Sequence, residues 1–428
     1  MNKIYLDYSA TTPIDPKVLE AMNPYLSDNF GNPSSVHSFG QDARAAIDKS
    51  RETLANFLNC EPSEIIFTSG GSESDNLAIR GVIEAVIPEY KGMNKKPHIV
   101  TSSIEHHAVL DTIKDLENEG KIEVAYISPD KDGVLNSQQV VRAIRENTVL
   151  VSVMYVNNEI GTVQPIREIG KKIEKENLGR LEQNPSARKI FFHTDAVQAA
   201  EYFEMGTKYL HVDLLTLTAH KIYGPKGVGA LFVKKGTPLK SEITGGGQEY
   251  KKRAGTENVA GIVGFAKAVE MIIAKRKESS SASHPDPSAD GEGSQEIDSS
   301  ASPQNDRSLK LRDKLIRGII DNIADAQLNG TDICRSPGNV NISFKGIEGE
   351  SVLLNLDMQG IAASTGSACT SGSLEPSHVI MGIGYNEERA HSSIRFTLGR
   401  YTTSAEIDKV IEVLPGIVEK LRKMSPIK

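Results

Sequence analysis

The chain has 428 residues and sets 49 Lys and Arg against 56 Asp and Glu, for a formal charge of -7 with no basic tract. At roughly 100–200 residues per domain this length calls for more than one core. The acidic balance excludes the electrostatic footprint of a direct nucleic-acid binder. Lys3 and Asp7 interrupt the opening MNKIYLDYSATTPIDP, and no later apolar run approaches the roughly 20 residues of a membrane span, so a soluble, cytoplasmic protein is expected. The cysteines, Cys60, Cys334 and Cys369, are odd in number, which points to reduced thiols rather than a disulfide framework.

From Glu64 to Val233 short β-rich runs alternate with helical stretches. EIIFTS, HIVTSS, EVAYISP, TVLVSVMYV, KIFFHTD, HVDLLTLT and GVGALFV read as strands, with amphipathic helices such as Ser74–Val86 and Ala108–Asn118 between several of them. The alternation predicts an α/β fold, in which a large domain over residues 15–262 holds a mostly parallel sheet covered by helices. The polar stretch Gly179–Arg188 is expected to lengthen a helix-to-strand loop. After Val263 come the helical FAKAVEMIIAKRKE and DRSLKLRDKLIRGIIDNI and the strand-like NVNISFKG and SIRFTLG. These predict a smaller α+β domain built from residues 1–14 and 263–428. Within it, residues 279–306 are almost free of apolar side chains and are expected to form a disordered surface insertion, tolerated because loop length costs little.

In sheets of this kind ligands bind outside the carboxyl ends of the strands, and the unusual polar residues of the chain fall there. Gly70, Gly71 and Ser72 turn a strand into a helix, where free N–H groups favour a phosphate, although such turns also serve as plain caps. Thr218, Ala219, His220 and Lys221 close another strand ahead of the Gly-rich Gly224–Gly229. Desolvation there would make the Lys221 amine a nucleophile toward a carbonyl; an isolated lysine in a turn is otherwise a solvated one. Asp195 ends the apolar KIFFHTD, where an unpaired charge is costly and a protonated pyridine nitrogen would be a fitting partner. Gln198 follows one helical turn later, in reach of the phenolic oxygen of such a ring. Glu105, His106 and His107 follow a third strand, and Asn157, Asn158 and Glu159 a fourth.

Cys369 lies in the small-residue run Ser364–Ser373, which by composition reads as an exposed, mobile loop suited to a nucleophilic thiolate. Cys60 and Cys334 read as ordinary small buried side chains. Arg395, on SIRFTLGR, offers a fork for a substrate α-carboxylate or for a structural salt bridge. No Cys-x-x-Cys or His-x-x-x-His spacing suggests a resident metal.

Together these segments resemble the cysteine desulfurases of the NifS/IscS type, fold-type-I pyridoxal-phosphate enzymes related to class-V aminotransferases. The resemblance runs through LDYSATTP, FGNPSS, FTSGGSESDNLAI, EHHAVLD, VNNEIGTVQPI, HTDAVQ, AHKIYGPKGVGALFV, GGGQE, RAGTEN, STGSACTSGS and SSIRFTLGR, nearly the whole chain. It implies pyridoxal 5'-phosphate carried by Lys221, with Asp195 on the ring nitrogen, Gln198 on the phenolic oxygen and His106 stacked on the ring as proton shuttle. Phosphate contacts fall on Gly71, Ser72, Thr218 and His220, and on Thr256 from a second subunit, which implies a homodimer with shared sites. Asn158 would lie beside cofactor and substrate, Arg395 would hold the cysteine carboxylate, and Cys369 would take the sulfur as a persulfide. Ser72 replaces the family's common Thr and Thr218 its common Ser; both keep the hydroxyl. An iron–sulfur scaffold or another sulfur acceptor is the implied partner, and ligation of a cluster by Cys369 during transfer is left open. A selenocysteine lyase or aminotransferase on the same scaffold is a rival reading, and a catalytically silent assembly partner is another.

Overall fold

The computed structural model describes residues 3–280, 303–366 and 375–425. The chain opens on β1 (Ile4–Tyr5), whose partner comes far later. A seven-stranded sheet follows, built from β2 (Ile65–Thr68), β3 (His98–Ser102), β4 (Glu123–Ile127), β5 (Thr148–Ser152), β6 (Phe191–Asp195), β7 (Leu214–Thr218) and β8 (Gly229–Val233). All of the predicted strands of this region are in it. The spatial order is β2-β8-β7-β6-β5-β3-β4, and only β8 runs against the rest.

Most of these strands are buried on both faces, so their sequences are continuous apolar runs rather than alternating ones. Neighbouring residues serve opposite cores: Phe192 packs on one side of the sheet with Phe67, Leu215 and Phe232, and Phe191 on the other with Ile66, Leu214 and Leu231. Helices cover both faces. Because β2, β3, β5, β6 and β7 point the same way, their carboxyl ends open on one edge, and everything that follows them in sequence is delivered to that edge.

The helix Ile166–Gln183 runs through part of the stretch expected to be a loop at 179–188. The reason is a buried amide: Asn177 donates to the Ile190 carbonyl at 2.9 Å and accepts from its N–H at 2.8 Å, pinning the helix to the approach of β6. Arg180 adds an i,i+4 pair to Glu176 at 3.2 Å.

A second layer has its own core. β9 (Ala326–Leu328), β10 (Asn339–Phe344) and β12 (Ser393–Thr397) form an antiparallel sheet in the order β12-β10-β9, while β11 (Ile361–Ala362) pairs in parallel with β1. Ile4 and Leu6 pack there with Phe344, Phe396 and Leu414. The helix Val259–Ser280 does not join this layer. Its Phe265, Val269 and Ile272 belong to the first core, so the change of core comes after this helix and not at residue 263. It runs into the segment expected to be disordered, as does the helix Pro303–Ile320 from the other side; the remainder of 279–306 lies outside the described residues. Among the described residues no helix is long and apolar enough to cross a membrane.

Candidate active site

Asp195 is the last residue of β6 and is 7 % exposed. Its Oδ1 accepts the Val197 N–H at 2.9 Å. Burial pushes the carboxyl up to about 6, and that backbone bond and the positive charge of Lys221 hold it from rising further. A carboxylate in this position lacks only a strong cationic partner. Behind it lies Asp75 on the helix Gly71–Val86, fully buried, with an oxygen 3.6 Å from His193 Nε2. Burial, and then repulsion from Asp195, drive the Asp75 carboxyl well above its ordinary range, which leaves the ionised form to Asp195. Glu105 is driven the same way by burial; one of its oxygens accepts the Met154 N–H at 2.9 Å, and the other has no partner among the described residues.

Lys221 stands in the short turn Ala219–Lys221 that follows β7. Its Nζ donates to the carbonyls of Ser9 and Ala10, the latter at 2.8 Å. The N-terminal segment thus crosses over the lysine. Gln198 Nε2 meets the same Ser9 carbonyl at 3.0 Å, and a cavity of about 40 Å3 between Tyr8, Gln198, Lys221 and Asn339 adjoins them.

His106 caps the helix His107–Asn118, its Nδ1 accepting the Ala108 N–H at 3.1 Å. That bond puts the ring proton of the neutral imidazole on Nε2. Burial, helped by the charge of Lys221, lowers the imidazole to about 4, so at neutral pH it is uncharged. Between 6.5 and about 4 the unfolded chain takes up a proton that the folded one refuses, and stability falls as the pH falls. His106→Asn keeps a good cap and removes this titration. In the cofactor-free protein it is expected to recover ~2 kcal/mol of the stability lost between pH 7 and pH 4, read from urea unfolding at both pH values.

Gly71 and Ser72 open the Gly71–Val86 helix, and the cap, Gly70, has no side chain to occupy the first-turn N–H groups. A Cβ on Gly71 would stand 3.1 Å from Val197 Cγ2, and one on Gly229 would meet Gly70 Cα at 2.8 Å. The bare backbone is therefore what brings this helix end up against β6, β7 and β8. An uncapped N-terminus beside a lysine and a hydroxyl is a seat for a phosphate. Thr218 is buried with its hydroxyl on the Val228 carbonyl at 3.2 Å, and His220 Nδ1 is 3.2 Å from the Thr11 hydroxyl.

Arg395, on β12, donates through one Nη to the Asn158 carbonyl and through the other to Asp7 Oδ1, each at 2.9 Å. Its buried Nε has no partner among the described residues. The salt bridge of the structural reading is therefore present. Asn157 serves the backbone, accepting from Glu159 and Ile160 at 2.9 and 3.0 Å, which fixes the turn that carries Asn158. Thr256 is exposed on the segment ahead of the Val259–Ser280 helix. Cys369 lies outside the described residues.

The strand ends therefore bring Lys221, Asp195, His106, Gln198, Gly71 and Thr218 to one edge of the sheet. Sequence reasoning gave no role to Asp7, to the Ser9 and Ala10 carbonyls or to Asp75. Asp75 was readable: it shares the helical spacing of the buried Ala78, Ile79 and Val82, an acid on an apolar face. Asp7 had no such signal, because its partner is 388 positions away.

The sequence matches the aminotransferase class-V family over residues 4–290 and 293–410. It is 46% identical to the cysteine desulfurase IscS of Clostridium botulinum over 430 aligned residues, covering 100% of this chain and 97% of that protein. A solved NifS-like protein superposes with a TM-score of 0.83 at 32% identity, over 98% of this chain and 100% of its own. A structure of SspA in complex with cysteine superposes with a TM-score of 0.73 at 35% identity, over 94% and 100%. This chain is a member of the aminotransferase class-V family and belongs with its cysteine desulfurases.

Proposed function

We propose that the protein desulfurates L-cysteine, releasing L-alanine and leaving the sulfur as a persulfide on Cys369. The observation that carries this reading is the meeting of Lys221, buried Asp195 and the capping His106 at one sheet edge, in a chain of this family. Cysteine as substrate accords with the cysteine-bound SspA structure.

The cofactor is pyridoxal 5'-phosphate, and the residues fit it: a buried carboxylate wants a cation, and a helix N-terminus without a capping side chain wants an anion. When bound, it supplies an electron sink at the substrate α-carbon. Lys221 would hold it covalently, Asp195 would face the ring nitrogen, Gln198 the phenolic oxygen and His106 the ring. Gly71, Ser72, Thr218 and His220 would take the phosphate, with Thr256 of the partner subunit.

Arg395 binds the substrate carboxylate and, with Asn158, fixes the α-carbon near the Lys221 amine. The Lys221 amine would take the α-proton. His106, neutral and protonated on Nε2, can donate a hydrogen bond from Nε2 toward the cofactor and substrate without carrying charge. The Cys369 thiolate attacks the substrate sulfur; the substrate C–S bond breaks as the S–S bond forms, and the substrate β-carbon takes a proton. Cysteine and one protein thiol thus give alanine and one persulfide, with atoms and electrons balanced.

A homodimer is part of the proposal. Leu26, Phe30, Val36 and Phe39 are exposed on one segment, with the Phe30 and Phe39 rings 5.6 Å apart, an apolar surface that a second copy would cover. A reducing compartment such as the cytoplasm suits a thiol that must stay free. The persulfide would pass to an iron–sulfur scaffold or another acceptor protein. The test is direct: purified protein is expected to absorb near the visible edge, and with L-cysteine and a reductant to yield alanine and sulfide in equal amounts. A colourless protein that stays inert when pyridoxal phosphate is added would refute the reading.

A further inference from the structure

Glu73 sits in the first turn of the helix Gly71–Val86, whose N-terminus is the proposed seat of the cofactor's phosphate. None of the proposed chemical steps uses it. An acid there is at odds with that seat, because it satisfies the helix end with its own negative charge and repels a second anion brought to the same N–H groups. The carboxylate is also folded backwards: its Oε2 accepts the Ser69 N–H at 2.8 Å, ahead of the Gly70 cap. Burial alone would raise the Glu73 carboxyl, yet the bonds from Arg253 and Ser69 outweigh it and hold the group below its ordinary range, so it is ionised at neutral pH.

Arg253 meets this charge. Its Nε donates to Glu73 Oε1 at 2.8 Å and an Nη to Oε2 at 3.2 Å, a two-bond fork between side chains mostly withdrawn from solvent. Arg253 reaches Glu73 through an unusual turn just before it: Glu249, Tyr250 and Lys251 take φ of 43°, 57° and 63°, three left-handed residues in a row without a glycine, which is a costly backbone. A buried ion pair holds that turn. Arg51 donates through its two Nη to the Glu249 carboxylate at 2.8 and 2.7 Å and lies over the rings of Phe67 and Tyr250, 4.8 and 5.2 Å from their centroids. Glu249 Oε2 also accepts the Phe67 N–H of β2 at 2.9 Å. Residues 249–253 thus grip both sides of the turn that makes the seat, Glu249 on the strand that enters it and Arg253 on the helix that leaves it.

We propose that Arg253 is a positioning residue of the phosphate seat: it holds the Glu73 carboxylate back on the Ser69 N–H and cancels its charge, so that the first turn of the Gly71–Val86 helix can take the cofactor's phosphate. The shape of the fork matters as much as its charge. Both carboxylate oxygens are bonded, so the side chain is not left to close on the N–H groups of the seat. A lysine would supply the charge without the fork. The effect is local and lies within one subunit. Thr256, proposed to reach the site of a second subunit, is three positions beyond Arg253, and the two roles separate by their dependence on Glu73.

The inference rests on the reading of Gly71 and Ser72 as phosphate contacts, and its readout is binding rather than turnover. The full-length protein, stripped of cofactor, is titrated with pyridoxal 5'-phosphate and separately with pyridoxal, which lacks the phosphate, and binding is followed by the near-visible absorbance. Arg253→Gln is expected to raise the Kd for pyridoxal phosphate on the order of tenfold and to leave that for pyridoxal within about twofold. Glu73→Gln is expected to bind pyridoxal phosphate at least as tightly as the wild type. Added to Arg253→Gln, it should bring the Kd back to within about threefold of wild type, because the charge that Arg253 cancels is gone. Arg253→Lys should fall between wild type and Arg253→Gln. Equal weakening toward both ligands, or no rescue by Glu73→Gln, would overturn the assignment and move the effect to the folding of the segment or to Thr256. Should urea unfolding show that Arg253→Gln has lost its fold, Glu73→Gln decides, and weaker binding of pyridoxal phosphate than in the wild type would overturn the assignment. A wild-type protein that binds pyridoxal as tightly as pyridoxal phosphate would instead remove the phosphate seat itself, and this role with it.

Discussion

Lys221→Ala is expected to lose the near-visible absorbance of the purified protein and to lower cysteine desulfuration by at least ~10^3-fold. The lysine follows the last residue of β7 by a short turn, and its charge restrains the rise of the Asp195 carboxyl. On the proposed reading, removing it takes away the covalent attachment point and the amine that moves the α-proton, and it also removes the cation that helps keep Asp195 ionised. It also releases the Ser9 and Ala10 carbonyls, which is expected to lower stability by ~1 kcal/mol. Lys221→Arg separates these effects, since it keeps a cation but offers no comparable nucleophilic amine. It should regain the lost stability and none of the activity. A visible band that persists in Lys221→Ala, with alanine still forming, would move the attachment to another residue.

The central sheet was legible because its strands are buried on both faces, so LLTLT and FFHTD read as apolar runs that end abruptly in polar residues. Those abrupt ends also carry most of the candidate residues. A strand in a covered parallel sheet cannot carry Asp195 or Lys221 along its length, so such residues collect where the strand stops. What escaped depends on contacts far apart in sequence or on helices that outrun their composition. The Asp7–Arg395 pair joins the two ends of the chain. The helix that enters 179–188 is held by Asn177, whose amide partner lies beyond the polar stretch. The helix Val259–Ser280 looks like the start of a new unit in sequence, yet its apolar face meets the helix Ser38–Leu58 and the first core. A low-polarity helix announces that it will be buried, not which core buries it.

Cys369→Ser is expected to abolish the persulfide and lower alanine formation by at least ~10^3-fold, while leaving the absorbance of the resting protein unchanged. Serine keeps the size of the side chain, but its hydroxyl is not appreciably ionised at neutral pH and is a poor attacker of sulfur. The other thiols cannot take over. Burial, reinforced by Glu64 and Glu61, pushes the Cys60 thiol up to about 12, and burial with Asp132 nearby raises Cys334 as well. Both are protonated at neutral pH, so neither offers a thiolate. Cys60→Ser and Cys334→Ser are accordingly expected to keep desulfuration within about twofold of wild type. The decisive measurement is a single turnover with L-cysteine, in which alanine is counted and the sulfur is located by mass on peptides of each variant. Because cysteine and one thiol must yield one alanine and one persulfide, alanine and Cys369-bound sulfur should rise together in the wild type. Alanine rising in Cys369→Ser at the wild-type rate would mean that sulfur leaves the substrate without this thiol, and the transfer step would have to be assigned elsewhere.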